Sequence, residues 1–324
     1  MVNHTPLVAD PHNIRLAMLG MVEGNGHPYS WSAIVNGRYD ADVMAKCGYP
    51  VIAQYLGAQP KENLGIPGAQ VTHVWCDQRT DAEQVARAAY IDHIVDKPED
   101  VIGHVDAVII ATDVGHEHLD RARPFIEADL PVFIDKPLTD REDHLRQFHA
   151  WWQQGKAILS TSCMRYATEF AQLREQLPAT GTPRLIFATM LKDWERYGIH
   201  GLESIYGLLP PGGWQRVVNT GTPELNIVHL THEAGVDIVL AVGHDLVGGY
   251  GHVSVIGSKA TVRAEFRDTF AAFKAQLVAF VDYLRCGVSP VPQTETIEQM
   301  KIIIAGIRSR EQHGKPIYLS EIQP

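Results

Sequence analysis

The stretch that decides the fold is Asp106–Leu138, DAVIIATDVGHEHLDRARPFIEADLPVFIDKPL. Ala107–Ala111 and Val132–Ile134 are short apolar runs rich in Val and Ile. That is the composition of strands buried on both faces of a parallel sheet. The polar segment between them has room for one helix, which makes a βαβ crossover. Each strand runs into chemistry: Thr112, Asp113, His116 and His118 follow the first, Asp135-Lys136-Pro137 the second. Ligands of open α/β sheets sit beyond the carboxyl ends of the strands, so both clusters are expected to face one crevice. Pro137 has no amide hydrogen and stops the ladder, leaving Lys136 at the lip. The plainer alternative is a solvated strand-end lysine.

Upstream, Ile14–Leu19 is an apolar strand that enters the turn GMVEGNGHPYSWSAI. A dinucleotide fold needs glycines there, so that backbone amides can approach a pyrophosphate at a helix N-terminus. The G-x-G-x-x-G fingerprint is incomplete. Counted from Gly20, Val22 and Asn25 stand where the second and third glycines would fall; counted from Gly24, Gly26 is second and Tyr29 third. Gly20, Val22, Gly24, Asn25 and Gly26 are the candidate cofactor-turn residues, with an ordinary glycine-rich turn as the alternative. Ser30 is expected to cap a helix over Trp31–Asn36.

The acid that binds the ribose lies about 20 residues beyond the glycines in such folds. Here the first acid at a strand end is Asp77, after Val71–Cys76, and 77 − 20 = 57 positions past Gly20. Residues 37–70 therefore read as an insertion that lengthens the first crossover and covers part of the site. Asp77 would accept the ribose hydroxyls and favour NAD, while Arg79 keeps NADP open. Alternatively Asp77 caps the helix Asp81–Ala89. A short strand at Ile94-Val95 and a helix opened by Lys97-Pro98-Glu99-Asp100 complete a strand–helix alternation. Thr139–Gln154 is a further helix, and Ala157–Thr161 a last strand.

At 324 residues, 45% hydrophobic and 20% charged, the composition suits a two-domain globular enzyme. A net charge of −10 argues against nucleic acid or an anionic membrane as partner. The opening residues MVNHTPLVADPHN show no secretory pattern, and no apolar run is long enough to span a bilayer. Four cysteines without C-x-x-C spacing fit reduced thiols, so a cytoplasmic protein is expected. His116-Glu117-His118 and His229-Leu230-Thr231-His232 are too loose a pattern to predict a metal.

After residue 160 the pattern changes to short strands at Arg184–Leu191, Gln215–Thr220, Asn226–His232, Val236–Val242, Gly251–Ile256 and Thr261–Phe266, separated by turn residues. This predicts a mostly sequential antiparallel sheet. Phe270, Phe273, Leu277, Phe280, Val281 and Leu284 follow helical spacing and should bury one face. The expected organisation is α/β. A doubly wound Rossmann domain spans residues 1–160, and an α+β domain for substrate and oligomer contacts spans 161–324.

ATDVGHEHLDRARPFIEADLPVFIDKPL resembles the ATPxxxHxxxAxxALxAGKHVxxEKPL segment of the Gfo/Idh/MocA oxidoreductases, with Asp113 for Pro, one extra residue before His118, and Asp135 for Glu. The likeness extends from Ile14 to Leu319, through the turn-and-strand SVIGSKATVRAE and the C-terminal helices, outside the insertion. It implies a cofactor edge made by Thr112, Asp113, His118, Asp135 and Lys136. It also implies a catalytic lysine, Lys136, and a histidine on a helix of the second domain, His200 in WERYGIHGLESIYGLL. Glu203 stands where many relatives carry an acid three residues on. The residue four before His200 is Arg196 where the family has Asp, and Glu195, Asp193 or Tyr197 are candidates for the missing group. Arg165 and Tyr166 match the positions that border the substrate, together with Glu195; an interdomain ion pair is the alternative for Arg165.

The implied activity is hydride transfer between NAD, or NADP, and a carbinol of a sugar, glycoside or cyclitol. A histidine base would take the hydroxyl proton while Lys136 steadies the alkoxide. Arg196 favours a second reading, a lyase or hydrolase that uses held NAD for transient oxidation. The degraded glycine turn permits a third, a non-catalytic sugar sensor. Relatives form dimers or tetramers through the open face of the second sheet, which implies a homo-oligomer here.

Overall fold

The computed structural model describes residues 5–324. The first half comprises β1 (Ile14–Leu19), α1 (His27–Asn36), α2 (Ala41–Met44), α3 (Pro50–Gly57), β2 (Ala69–Trp75), α4 (Arg79–Ala89), β3 (His93–Ile94), β4 (Ala107–Ile110), α5 (His118–Glu127), β5 (Val132–Ile134), α6 (Glu142–Gln153) and β6 (Ile158–Leu159). Its six strands pair in parallel in the order β3-β2-β1-β4-β5-β6. The order reverses between β1 and β4, the switch point at which a crevice opens above the strand ends. Register decides what lines that crevice. Leu19 is level with Ile110, and Ile110 with Ile134. The residues that follow, Gly20, Ala111-Thr112 and Asp135-Lys136, are therefore brought side by side.

Local chemistry moved some boundaries from the sequence reading. Helix α1 starts at His27, not Trp31: Pro28 fits a first turn, Gly26 is the N-cap, and Ser30 is inside the helix. Lys97 opens only a single 3-10 turn, Pro98–Val101. Asp77 caps nothing, because α4 begins at Arg79 behind Gln78. The inserted segment folds into α2 and α3, and Tyr49 and Ile52 press on Gly26. A Cβ at Gly26 would lie 2.7 Å from both side chains.

The second half comprises α7 (Thr168–Gln176), β7 (Pro183–Leu191), α8 (Trp194–Tyr206), β8 (Trp214–Asn219), β9 (Leu225–His232), β10 (Asp237–Gly243), β11 (His252–Gly257), β12 (Thr261–Glu265), α9 (Thr269–Cys286), α10 (Gln293–Glu311) and β13 (Ile317–Tyr318). The sheet order is β12-β11-β7-β10-β9-β8-β13. It is mixed rather than sequential: β7 lies between β10 and β11 and is parallel to β10. The reason is α8, which carries the chain across one sheet face before β8, β9 and β10 fold back antiparallel. Helices α8 and α10 cover that face, with Trp194 of α8 wholly buried and its Nε1 donating to Ile303 O at 2.9 Å.

Helix α9 returns to the first sheet. Phe270, Leu277, Phe280, Val281 and Leu284 join the core built on β1, α1 and Phe133, and the Phe133 and Phe280 rings lie 5.4 Å apart. The cap is ordinary for a helix, Asp268 Oδ1 accepting from Ala271 N at 2.9 Å. We predict that Phe280→Ala destabilises the first domain by about 3–5 kcal/mol. Urea denaturation followed by Trp fluorescence measures it; an unchanged midpoint would remove α9 from that core.

Candidate active site

The crevice above β1, β4 and β5 is closed on its far side by the end of β7 and the first turns of α8. Helix α8 is oriented by Asp193, whose Oδ1 accepts from Arg196 N at 2.7 Å. That cap aims Arg196, Tyr197 and His200 at the strand ends.

Lys136 is 1% exposed. An isolated buried ammonium is costly, so it must find counter-charge. Its Nζ lies 3.4 Å from Asp113 Oδ2 and 3.4 Å from the Arg196 carbonyl oxygen. It also sits 4.4 Å from the centroid of the Tyr197 ring. Burial works to lower its pKa, but Asp113 and Asp135 outweigh burial and the net shift is upward. Lys136 is a cation at any working pH.

Asp113 is 1% exposed and takes Arg196 Nη2 on its other oxygen at 2.6 Å. Burial opposes its ionisation, yet Lys136 and Arg196 hold it well below the usual carboxylate range. The carboxylate within reach of Lys136 thus comes from the first domain's own loop. Asp193 is occupied as a cap, and Glu195 faces the other way to pair with Arg310 of α10. Tyr197 contributes its ring face, shared with Lys192 Nζ at 4.4 Å.

His200 is 4% exposed, and its ring meets Tyr197 edge-on at 4.7 Å between centroids. Burial first, then the nearby Lys136 charge, depress its pKa well below the ordinary histidine value. Both causes favour the neutral imidazole. Its Nδ1 lies 2.6 Å from Ser162 Oγ, which leaves Nε2 without a protein hydrogen bond among the described residues.

The glycine turn meets this cluster. Gly20 has φ +85°, and a Cβ there would lie 2.8 Å from Thr112 Cγ2. Thr112 Oγ1 is buried without a hydrogen-bond partner. The amides of Val22, Glu23, Gly24 and Gly26 carry no protein hydrogen bond among the described residues. Two cations reach the turn from the second domain: Lys192 Nζ donates to Gly24 O at 3.3 Å and Arg196 Nη2 to Glu23 O at 3.5 Å. Free amides, an orphaned hydroxyl and facing cations suit a pyrophosphate. At the end of β2, Asp77 Oδ2 accepts from Met21 N at 3.1 Å, and Arg121 grips the carboxylate at 2.8 Å while also pairing with Glu117. These features fit a dinucleotide.

Other expected site residues are placed as supports. Asn25 is buried, donating to Ala111 O at 3.1 Å and accepting from His27 N at 2.9 Å. Asp135 accepts from Lys136 N at 2.7 Å and pairs with His27 Nδ1 at 2.8 Å. Gly26 is needed for packing on Tyr49 and Ile52. His118, expected to edge the nicotinamide, is instead wholly buried. Its Nδ1 is 2.8 Å from Pro137 O and its Nε2 2.9 Å from Thr112 O, so the ring lies between the two strand ends and donates to one of these carbonyls. Arg165 is committed to Glu203 at 2.5 Å and Glu295 at 3.0 Å, which is the ion-pair alternative. Glu203 is buried behind His200; burial raises its pKa and Arg165 pulls it back. Burial pushes the neighbouring Tyr166 phenol up to about 12. His116 pairs with Asp140 and His229 with Asp237. No group of three metal-ligating side chains occurs among the described residues, and no helix among them is long and apolar enough to cross a membrane.

The sequence reading missed His27, Ser162 and Lys192. His27 stood inside the glycine turn next to the residues that were weighed, whereas Ser162 and Lys192 carried no local signal. Lys192 has a left-handed backbone, φ +62°, a conformation few side chains adopt. Beyond Arg196, a groove of about 650 Å³ runs past Val114, His116, Asp140 and His244.

Residues 44–161 match the family model described as an oxidoreductase family with an NAD-binding Rossmann fold, that of the Gfo/Idh/MocA proteins. The match begins after the altered glycine turn. No curated protein matches the chain by sequence. Among solved structures, a probable dehydrogenase from Thermotoga maritima superposes with a TM-score of 0.72 at 15% identity, over 96% of this chain and 100% of its own. A putative myo-inositol dehydrogenase from Sinorhizobium meliloti gives 0.69 at 17%, over 95% and 100%. The scyllo-inositol dehydrogenase of Lactobacillus casei with bound NAD(H) and scyllo-inositol gives 0.72 at 13%, over 95% and 99%. The fold of the whole chain is theirs.

Asp113→Ala removes the counter-charge of two cations at once. We predict a loss of about 3–5 kcal/mol in urea unfolding, with Asp113→Asn losing less because it still accepts from Arg196. Equal stability of the alanine variant and the wild type would show that the pair is not a support.

Proposed function

We propose that this chain, whose residues 44–161 match the NAD-binding Rossmann model of the Gfo/Idh/MocA oxidoreductases, is a dehydrogenase acting on a CH–OH group of a small polyhydroxylated molecule. The observation that carries this reading is the meeting of Lys136 and the neutral His200 across the mouth of the glycine turn. NAD, when bound, supplies the hydride acceptor at the carbinol carbon. Gly20, the amides of Val22, Glu23, Gly24 and Gly26, Thr112 and Asp77 would hold it. Asp77 would receive the ribose hydroxyls, and the acidic pair Asp77–Glu117 around Arg121 disfavours a 2′-phosphate, so NAD is preferred to NADP.

The remaining work falls to the chain's own side chains. His200 exchanges the hydroxyl proton, a role open to it because burial keeps it neutral. Lys136, fixed as an ammonium by Asp113, faces the oxygen and stabilises its developing negative charge. Tyr197 walls the pocket between Lys136 and Lys192. The exchange of Asp for Arg196 is answered by Asp113, so plain dehydrogenation is the simpler reading. The cyclitol and sugar class rests on the inositol dehydrogenases with the same fold; Arg196 and the groove beyond it are where substrate choice would be made.

The outer face of the second sheet carries Phe187, Ile227 and Ile256 between 37% and 40% exposed. An apolar face of this kind suits a second copy of the chain. Light scattering should report an oligomer that Phe187→Asp dissociates; a monomeric wild type removes this part of the proposal.

Calorimetric titration should show NAD and NADH binding with micromolar dissociation constants and NADP at least about tenfold weaker, a difference of ~1.4 kcal/mol. Asp77→Ala should erase the preference. Protein free of carried-over cofactor that binds none of the four nucleotides would overturn the dehydrogenase reading.

A further inference from the structure

We infer that Ser162 is a positioning residue that fixes the tautomer of His200, so that the resting imidazole carries its proton on Nε2. The inference rests on the dehydrogenase reading for its meaning, but not for its geometry.

Ser162 is fully buried, as the N-cap of the 3-10 turn Cys163–Tyr166 that leads out of the first domain. Its Oγ accepts from Met164 N at 3.0 Å. One acceptor lobe of the hydroxyl is therefore filled by the backbone. The hydroxyl hydrogen still needs an acceptor, and His200 Nδ1 stands 2.6 Å away. The other group facing the hydroxyl is the Cys163 thiol, whose sulfur is a poor acceptor. If Nδ1 carried the proton, it would donate to Oγ and the serine hydrogen would be left buried against sulfur. A buried polar hydrogen without a partner is disfavoured. The favoured arrangement is Ser162 Oγ–H donating to a bare Nδ1. His200 is neutral in this site, so its one proton must then be on Nε2.

Two consequences follow for the chemistry. With Nε2–H, the resting side chain is a hydrogen-bond donor beside the Lys136 ammonium. With NADH supplying the hydride when bound, Nε2–H would be the group that gives the carbonyl oxygen its proton, which leaves an imidazolate-like ring. Ser162 Oγ–H at Nδ1 steadies that ring until solvent reprotonates Nε2. The oxidising direction runs through the same states in reverse, the ring with bare Nε2 and Ser162 Oγ–H on Nδ1 taking the hydroxyl proton and returning to Nε2–H.

The test reads the tautomer directly by long-range ¹H–¹⁵N NMR on cofactor-free protein labelled with ¹⁵N-histidine, at neutral pH, with His200→Gln assigning the resonance. The expected wild-type spectrum has a bare Nδ1 and a protonated Nε2, the latter form dominant by about tenfold. Ser162→Ala should lose that dominance, and Ser162→Thr, which keeps the hydroxyl, should restore it. A protonated Nδ1 in the wild type, or an unchanged ratio in Ser162→Ala, would overturn the assignment. If the alanine variant does not fold, the wild-type spectrum alone decides. Nucleotide titration of the same samples separates the two claims: the expected tautomer without any nucleotide binding retains the Ser162 assignment and overturns the dehydrogenase reading.

Discussion

A lysine ammonium buried where two strands end must be neutralised, and much of the architecture around the crevice follows from that need. Lys136 is held by Asp113, Asp113 by Arg196, and Arg196 reaches the carbonyl of Glu23 in the glycine turn. This chain of charge crosses from the first domain to the second and back. A buried pair is weak evidence for stability by itself, because desolvation offsets much of the attraction. What it does supply is position. The two cations and one carboxylate have few other arrangements that leave no charge unpaired, so the angle of α8 over the strand ends is tightly restricted.

The supports below this chain are arranged on the same logic. His118 lies between Thr112 and Pro137, and Asn25 and Asp135 tie the glycine turn to the ends of β4 and β5. These side chains are buried themselves and hold the glycine turn and the ends of β4 and β5 in place. Helix α9 adds an apolar constraint, leaving the second half of the chain to complete the core under α1. The two halves share both a core and a charge network, and a ligand in the crevice would touch parts of each.

His200 is neutral for the same reason that Lys136 is charged. Both are buried, but Lys136 has a carboxylate beside it and His200 has Lys136. The environment shifts two neighbouring groups in opposite senses, Lys136 toward its charged form and His200 toward its neutral one. Arg165 and Glu203 behind His200 form a separate buried pair that stiffens α8 without entering the crevice.

The alternation of apolar runs with turn residues was enough to place nearly every strand of the first domain, since strands buried on both faces leave a plain mark in sequence. Lys136 and His200 were legible as well, the first because Pro137 ends its strand, the second through family resemblance. The parallel placement of β7 beside β10 was not, because strand order depends on which face α8 crosses. Nor was the pairing of Lys136 with Asp113, which follows a different strand 23 residues earlier in the chain. Asp113 and Arg196 are separated by 83 positions, and no local pattern links them. Periodicity and turn chemistry are local properties, so the sequence by itself determined most of the elements. Charge compensation and hydrogen-bond satisfaction are properties of contact, so only the tertiary structure decided which residues face the ligand and which hold them there.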